Sequence, residues 1–516
     1  MDLTTIAATE MRALLDAGQV TSVELVRAHL DRIDQRDRTL RAFTTVFHDD
    51  ALEEARRADE DRRRDRPRSL LHGLPVTVKE SVDMAGRAST MGVPSRLSHR
   101  AATDGGMVKA LREAGAILLG RTNVAQYLMS HESHNPLFGQ CNNPFSLAHT
   151  PGGSSGGEAA ALAAGLSPLG VGTDIGGSIR CPAHFTGIVG FKPTLDRWSN
   201  RGSNTALAGQ EAIRGQIGPM ARSVDDVALL FRGVDYERMS EDDPRVPPLP
   251  APDPTGIDLA GLRVGYYVED GLVRTSTAVA RGVERARRAL DEHGARVVPF
   301  TPPRIAEHIF LYFAAMSADG SEIIRKGLEG GEVDPILTGL MRLNRLPAQV
   351  RAGLSKVARA FGEEQAARLL DVAGPKSAEA FWGLTAALRA YRFEVLAAMN
   401  AASIDAILCP PFATPALPHL AGKEFALAGS HCMLWNVLQF PAGIVPVTRV
   451  RAEEARREGA SGRFEKRAAE VDAASTGLPV GVQIVTRPWR EDLALAVMKA
   501  VERSVRDDES WPRTPV

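Results

Sequence analysis

Gly152-Gly153-Ser154-Ser155-Gly156-Gly157-Glu158 is the most informative block of this chain, and Gly172-Thr173-Asp174-Ile175-Gly176-Gly177-Ser178-Ile179-Arg180 follows it closely. Upstream, the apolar segment Gly73-Leu74-Pro75-Val76-Thr77-Val78-Lys79-Glu80 carries a single lysine. Glycine is costly to order, so two glycine-rich clusters require a reason. We expect the backbone itself to approach a substrate there. Two serines in such turns and one lysine on an apolar strand are the parts of a serine hydrolase that uses no histidine.

Short apolar segments alternate with helical ones on both sides of these blocks. The segments predicted as strands are 74–78, 116–120, 167–172, 188–191, 261–266, 296–300, 405–410, 442–447 and 478–485. Helices are predicted near 103–114 and 275–293 and over most of 305–400. Strands that alternate with helices indicate an α/β fold built on a sheet.

The organisation of the chain favours one large domain over residues 1–516. Residues 1–70 are predicted to be helical, and Thr21 or Ser22 is placed to cap a helix that starts at Val23. Residues 450–475 are rich in charge and are expected to form a surface insertion. We find no clean linker, internal repeat or low-complexity tract between these regions.

The composition excludes several classes of protein. The 62 basic and 63 acidic residues nearly cancel, and aromatic residues make up 5% of the chain, so we expect no nucleic-acid partner. Four cysteines without a CxxC pair argue against a disulfide framework and against zinc ribbons. We therefore expect neither a metal nor a cofactor.

The chain is expected to be soluble and cytoplasmic. It begins Met1-Asp2-Leu3-Thr4-Thr5, which lacks the basic region of a signal peptide. Its longest apolar run, near 159–166, is too short to cross a bilayer. Four free thiols fit a reducing compartment.

Amide cleavage requires a nucleophile, a base and donors for the oxyanion. Ser178 follows Gly176 and Gly177, so several backbone N–H groups there could converge on one oxygen. Lys79 can act as the base only when neutral, and burial among apolar neighbours lowers a lysine pKa. Ser154 is placed to relay the proton between Lys79 and Ser178 and to return it to the leaving nitrogen.

Other interpretations of these residues remain open at this point. Lys79 could instead form a structural ion pair with Glu80 or Asp83. The block at Ser154 also fits G-x-S-x-G, which would make Ser154 the nucleophile, although residues 148–151 are a poor strand. The segment His131-Glu132-Ser133-His134 has the wrong spacing for a zinc site and is interpreted as loop or core structure.

Together these residues resemble the amidase signature family, whose members use a Ser–cis-Ser–Lys triad. The resemblance covers nearly the whole chain and implies a large twisted mixed β-sheet surrounded by helices. It assigns Lys79 as base, Ser154 as the bridging serine after a cis peptide bond, and Ser178 as nucleophile. It also implies an oxyanion hole from the backbone of Ile175, Gly176, Gly177 and Ser178. Asp174 and Arg180, which flank this turn, are expected to support it as an ion pair.

Within the family the chain looks most like fatty acid amide hydrolases. The stretches that carry this likeness are 135–140, 209–212, 218–222, 440–443 and Pro488-Trp489. The likeness implies that Leu128 lines the active site and that Met129 and Trp489 lie near an acyl channel. The expected substrates are water and a fatty acid amide or another N-acyl amide, with ester cleavage also open. The alternatives are an amidase for small polar or aryl amides, and the amidase subunit of a tRNA-dependent amidotransferase.

The region 343–375 bears on contact with membranes. Apolar positions such as Leu354 and Phe361 alternate there with charged ones such as Arg359 and Glu363. This amphipathic pattern favours a helix packed on the protein body and allows at most peripheral contact with a lipid surface. The resemblance is also compatible with a homodimer.

Overall fold

A computed structural model describes residues 1–515 of the chain. Its helices, labelled α1 to α18 in chain order, are Ala8–Asp16, Ser22–Leu40, His48–Arg63, Gly106–Glu113, Gly156–Ala163, Arg180–Thr186, Val224–Gly233, Tyr236–Asp242, Thr277–Glu292, Ile305–Met316, Glu322–Gly327, Pro335–Arg345, Ala348–Ala360, Glu364–Val372, Ala378–Ala401, Ser430–Leu438, Gly462–Ala473 and Glu491–Val505.

The strands, labelled β1 to β13, are Phe43–Val46, Pro75–Lys79, Ile117–Thr122, His134–Asn135, Gly139–Gln140, Leu169–Asp174, Val189–Lys192, Gln216–Ala221, Arg263–Tyr266, Arg296–Pro299, Ala406–Cys409, Ala442–Arg449 and Pro479–Thr486. Eleven of them form one sheet in the order β1-β3-β2-β6-β8-β7-β12-β13-β11-β9-β10. Parallel pairs occur at β3-β2-β6 and at β11-β9-β10, and the other neighbours are antiparallel. The fold is therefore α/β, with a large mixed sheet surrounded by helices, as the sequence predicted.

Strand β2 lies in the interior of this sheet and positions the lysine. It pairs in parallel with β3 on one side and β6 on the other, and all five of its residues are buried. Parallel strands that are covered on both faces have near-continuous apolar sequences, as Val76 and Val78 illustrate. Lys79 is the last residue of this buried strand, and its side chain lies in the protein interior.

Helix α2 begins where the capping signal indicated. The Thr21 side chain accepts a hydrogen bond from the Glu24 amide at 3.1 Å, and the Glu24 carboxylate accepts one from the Thr21 amide at 2.7 Å. This reciprocal pair is a capping box, which satisfies two backbone donors at the helix start. Thr21, rather than Ser22, is thus the cap.

Four strands were not predicted: the short pair β4 and β5, and two strands of the large sheet, β1 and β8. Strand β1, at Phe43–Val46, interrupts the N-terminal region that was expected to be helical throughout. Strand β8, at Gln216–Ala221, contains Pro219 and yet lies between β6 and β7 inside the sheet. Proline usually argues against an interior strand because it cannot donate to the hydrogen-bond ladder, so this segment does not have the pattern of a strand.

The charged region 450–475 folds back on the protein more than its composition suggests. It contains α17, and its Arg457 side chain is only 3% exposed and pairs with Asp472 at 2.8 Å. Arg274, outside the region, reaches Glu465 on α17 at 2.7 Å. Ion pairs therefore tie this insertion to the body.

Helices α10 to α15 account for the predicted helical region 305–400, and α13 presents an apolar stripe to the exterior. Its exposed apolar side chains are Val350, Leu354 and Val357, followed by Phe361 at the C-terminal cap with 82% exposure. The spacing of three to four residues places them on one helix face. Within residues 1–515, no helix combines the length and apolar character that a membrane crossing requires.

Candidate active site

Ser154, the expected bridging serine, lies just before α5 and follows a glycine that no larger residue could replace. The Gly153–Ser154 peptide bond is cis. A Cβ atom at Gly153 would lie 2.6 Å from backbone atoms of Ser130 and Glu132. The next residue links this turn to the second glycine-rich block, since the Ser155 amide donates to the Ser178 carbonyl at 3.1 Å. The two blocks that are distant in sequence are thus joined directly.

Lys79 reaches this turn from β2. Its Nζ atom donates to the Ser154 Oγ atom at 2.8 Å and to the Thr173 Oγ1 atom at 2.8 Å. The side chain is fully buried. Burial lowers the pKa of Lys79 to about 7, although the negative charges of Asp174, Glu158 and Glu80 act to raise it. A neutral amine near pH 7 is therefore accessible to this lysine.

The loop that carries Ser178 is organised by Asp174. This carboxylate accepts hydrogen bonds from the amides of Gly177 at 2.9 Å and Ile179 at 3.1 Å. Arg180 makes a two-point contact with it, at 2.9 and 3.0 Å. Burial alone would raise the pKa of Asp174, but the charge of Arg180 and its hydrogen bonds hold it well below the usual range. Asp174 is therefore ionised and fixes the turn.

Arg180 is in turn held by elements from the C-terminal half. It donates to the Asn436 side chain on α16 at 2.7 Å and to the Gln483 side chain on β13 at 2.8 Å. Both Arg180 and Asp174 are fully buried. A buried pair of this kind depends on having its remaining donors and acceptors satisfied. The chain supplies them from residues about 250 to 300 positions away.

A cavity of about 350 Å³ opens beside the nucleophile loop. Ser178 lines it and is itself 5% exposed. Most of the wall is apolar and comes from α10, α12 and α14, through Tyr312, Phe313, Met316, Ile336, Leu340, Leu343 and Leu369. Among the lining residues within 1–515 there is no aspartate or glutamate, and Lys423 is the one lysine or arginine. Such a pocket suits an apolar ligand with few polar groups.

The residues expected at the site from the sequence fall into two groups. Leu128, Met129, Ile175 and Gly176 line the cavity with Ser178. Trp489 does not belong to this wall; it lies just before α18, is 42% exposed, and its amide donates to Thr194.

The amides of the second glycine-rich block are not all equivalent. Because the Gly177 N–H is held by Asp174, it is turned toward that carboxylate. Gly177 also has a φ of +105°, a conformation that glycine adopts readily. The amides of Ile175, Gly176 and Ser178 are not used by Asp174.

Sequence reasoning missed His131 as a site residue. Its ring lines the cavity, and Nε2 donates to the Gly176 carbonyl at 3.0 Å. Burial lowers the pKa of His131 and so favours the neutral ring, and the contact requires that the proton of this ring lies on Nε2. Tyr312 was also missed, and a Cβ atom at Gly176 would meet its hydroxyl at 2.3 Å. A histidine in a polar loop and a tyrosine more than 130 residues away carried no local signal.

A larger cleft, of about 580 Å³, lies between α4 and α8. Its charged residues largely pair with each other: Lys109 contacts Asp242, and Arg238 contacts Glu113 at 3.0 Å. None of the triad candidates lines it. Within residues 1–515 no three histidine, cysteine or acidic side chains cluster as metal ligands do. Ser178, in contrast, lines the smaller, apolar cavity.

Comparison with known proteins agrees with this arrangement. The amidase family model matches residues 24–495. The chain belongs to the amidase family. Fatty-acid amide hydrolase 1 of Sus scrofa is 40% identical over 440 residues, which cover 84% of this chain and 76% of that protein. Fatty acid amide hydrolase 1 of Caenorhabditis elegans is 32% identical over 505 residues, covering 96% and 87%.

A solved structure of fatty acid amide hydrolase has the same fold as this amidase. The two match with a TM-score of 0.85 at 27% identity, over 98% of this chain and 86% of that chain. The chain is therefore an amide-hydrolysing enzyme of the amidase signature family, most similar among these comparisons to fatty acid amide hydrolases.

Proposed function

We propose that this amidase cleaves carboxamides through a Ser178–Ser154–Lys79 triad. Ser178 Oγ attacks the carbonyl carbon while its proton passes through Ser154 to neutral Lys79. The proton then returns through Ser154 to the leaving nitrogen, the C–N bond breaks, and an acyl group remains on Ser178. Water attacks that ester by the same proton route and releases the acid. The contact of 2.8 Å between Lys79 Nζ and Ser154 Oγ is the observation that carries this assignment.

The oxyanion is expected to bind backbone amides of the nucleophile loop. Of the four residues named from the sequence, Gly177 already donates to Asp174, so we assign the hole to Ile175, Gly176 and Ser178. His131 supports this hole indirectly, since it holds the Gly176 carbonyl. Loss of one oxyanion donor typically costs roughly 10²–10³ in rate, so small shifts of this loop matter.

The substrate that we favour is a fatty acid amide or another N-acyl amide. The apolar wall from α10, α12 and α14 supports an apolar acyl group, and the similar proteins carry the name fatty acid amide hydrolase. Leu128 and Met129 contribute to the same wall. Small polar or aryl amides are a second candidate class, and the same site could also cleave esters.

The role of amidase subunit in a tRNA-dependent amidotransferase is less well supported. Such a subunit depends on partner chains, and the similar proteins that match the larger share of this chain carry the name fatty acid amide hydrolase instead. Purified chain that hydrolyses amides without any partner would exclude that role.

The decisive experiment combines a substrate panel with trapping of the acyl group. Amides of acyl length 2 to about 20 carbons with varied amines are hydrolysed by the purified enzyme, and kcat/KM is compared. A fluorophosphonate is then used to label the nucleophile, and peptide mass spectrometry locates it. Label on Ser178, lost in Ser178→Ala, supports the triad; label on Ser154 overturns it. Activity confined to short polar amides overturns the fatty-amide assignment alone.

We further propose weak, peripheral contact with lipid surfaces through α13. The exposed stripe at Val350, Leu354, Val357 and Phe361 is apolar, and exposed Lys356 lies on the same helix. The helix packs on the body through its opposite face, where Arg351 and Ser355 are buried, and leaves this apolar face uncovered. A cytoplasmic location fits the four unpaired cysteines, and a homodimer is testable by analytical ultracentrifugation.

A further inference from the structure

A buried carboxyl group lies one helical turn beyond the bridging serine. Glu158, on α5, is fully buried, and its Oε2 atom accepts a hydrogen bond from the Thr122 hydroxyl at 2.7 Å. Its Oε1 atom accepts one from the Thr77 hydroxyl. Gly170 on β6 leaves the room for it, because a Cβ atom there would lie 2.0 Å from Oε1. Two hydroxyl groups and a glycine thus form a specific buried site for this carboxyl group.

That site lies next to Lys79. Thr77 precedes Lys79 by two residues on β2, so both side chains point to the same face of the sheet. Thr122 is the register partner of Lys79 on β3. The start of α5 thus meets β2 in two adjacent contacts, Ser154 with Lys79 and Glu158 with Thr77.

The hydrogen bonds indicate which form of Glu158 the site favours. Two hydroxyl groups that donate to both oxygens suit an ionised carboxylate, which only accepts. Burying such a charge without a cation is costly. Within residues 1–515, no lysine, arginine or histidine nitrogen lies within 4.0 Å of it. Burial raises the pKa of Glu158 to about 7, and the charge of Lys79 opposes this rise.

The other charges that face Lys79 have partners of their own. Asp174 is paired with Arg180, and Glu80 accepts hydrogen bonds from the Thr90 and Met91 amides and is stabilised by Arg121. Both also favour the protonated form of Lys79. Glu158 differs from them because Lys79 is the cation that opposes its burial.

We propose that Glu158 is a positioning residue whose carboxylate provides a counter-charge for protonated Lys79 and so raises the pH at which Lys79 becomes a base. The inference rests on the proposed function, in which Lys79 receives the proton of Ser178. During that transfer the Ser178 O–H bond breaks and Lys79 becomes an ammonium, which the Glu158 charge stabilises. When the proton moves on to the leaving nitrogen, Lys79 is neutral again and the charge balance of the resting site returns.

The test is the pH profile of kcat/KM for Glu158→Gln, measured with an acyl p-nitroanilide. Glutamine keeps the shape and can accept from Thr122 while donating to Thr77, whose hydroxyl also faces the Leu169 carbonyl at 3.3 Å. Without the negative charge the ammonium is less stable, so the acidic limb should move to lower pH by about one unit or more. An unmoved limb overturns the proposal, whatever happens to the maximal rate.

Two further variants keep the result interpretable. Glu158→Asp retains the charge, so its limb should stay near that of the wild type even if the rate falls. Thr122→Val removes one hydrogen bond to the carboxylate, which raises the carboxyl pKa, so its limb should move in the same direction as in Glu158→Gln. If Glu158→Gln fails to fold, as judged by circular dichroism, an unmoved limb in Thr122→Val overturns the proposal.

Glu502 on α18 provides a matched control. It is also a buried carboxyl group, accepts hydrogen bonds from the Val224 amide at 3.2 Å, and has a pKa raised by burial to about 7. Glu502→Gln should leave the acidic limb in place. Failure of the wild type to hydrolyse any amide would count against the proposed function, whereas hydrolysis with an unmoved limb in Glu158→Gln counts only against this inference.

Discussion

The Nζ atom of Lys79 lies 2.8 Å from the Oγ atom of Ser154, inside a protein interior that excludes water from both groups. The same nitrogen also donates to the Thr173 hydroxyl, which fixes its direction. A lysine this deeply buried loses the hydration of its charged form, and its pKa falls to about 7. The contact therefore joins Lys79 to a hydroxyl group rather than to a carboxylate, as the proposed proton relay requires.

We predict that kcat/KM for amide hydrolysis rises with pH through about 7. Lys79 is an acceptor only when neutral, so activity is lost as pH falls through its pKa and is present above it. Lys79→Met should lower kcat by roughly 10²–10⁴ and remove this limb. Steady-state rates from pH 5 to 9 check both statements. Lys499→Met serves as the control: this partly exposed lysine of α18 pairs with Asp225 on α7, and the variant should retain the wild-type profile.

Asp174→Asn should destabilise the fold and reduce activity together. The substitution leaves the Arg180 charge buried without its partner, which typically costs about 3–5 kcal/mol. It also loosens the amides of Gly177 and Ile179, and with them the nucleophile turn. Thermal unfolding followed by circular dichroism measures the first effect, and kcat the second.

An exposed ion pair gives the comparison for that variant. Glu211 contacts Arg245 at 3.1 Å, with both side chains more than half exposed. Glu211→Gln should cost less than about 1 kcal/mol and leave kcat near the wild-type value. Equal losses in the two variants would contradict the role given to Asp174.

The parts of the site with local sequence patterns could be predicted, and the parts assembled from distant segments could not. The glycine-rich turns indicate Ser154 and Ser178 as candidate site residues, and the apolar strand predicts that Lys79 is buried. The cavity wall instead comes from helices after residue 300, whose amphipathic patterns do not say which face meets the nucleophile. Trp489 illustrates this limit of sequence-based prediction. The dipeptide Pro488-Trp489 resembles that of fatty acid amide hydrolases, but Trp489 is not among the residues that line the cavity.

Gly177→Ala should reduce kcat far more than Gly209→Ala. Both glycines have positive φ, +105° and +83°, so both variants bear backbone strain of roughly 1–2 kcal/mol. Only at Gly177 would the new Cβ collide, at 2.7 Å from the Cys432 Cβ atom. The collision shifts the oxyanion donors, and we expect a loss of about 10²-fold or more in kcat. A larger loss of kcat in Gly177→Ala than in Gly209→Ala is the expected result, and equal rates would contradict it.

The apolar stripe of α13 should support weak binding to vesicles. Phe361 is 82% exposed, and its burial in the headgroup region would remove apolar surface from water. Co-sedimentation with phosphatidylcholine vesicles should fall several-fold in Phe361→Ser, while hydrolysis of a short-chain amide stays unchanged. Trp382→Ser, which removes an exposed aromatic side chain from α15, provides the control. Equal loss in both variants would contradict a role specific to α13.

Gly339→Phe should shorten the acyl chain that the enzyme accepts. Gly339 lies on α12 at the cavity wall, and a Cβ atom there would meet nothing within 4 Å, so the new ring has room to enter. We expect kcat/KM for long-chain amides to fall by about 10-fold or more, and that for short-chain amides to change little, because lost apolar contacts weaken binding of the distal carbons. Gly353→Phe is the matched control: it is also a mid-helix glycine with open space around it, but lies on α13 outside the wall. If both variants lose activity equally at all chain lengths, the cavity does not hold the acyl group.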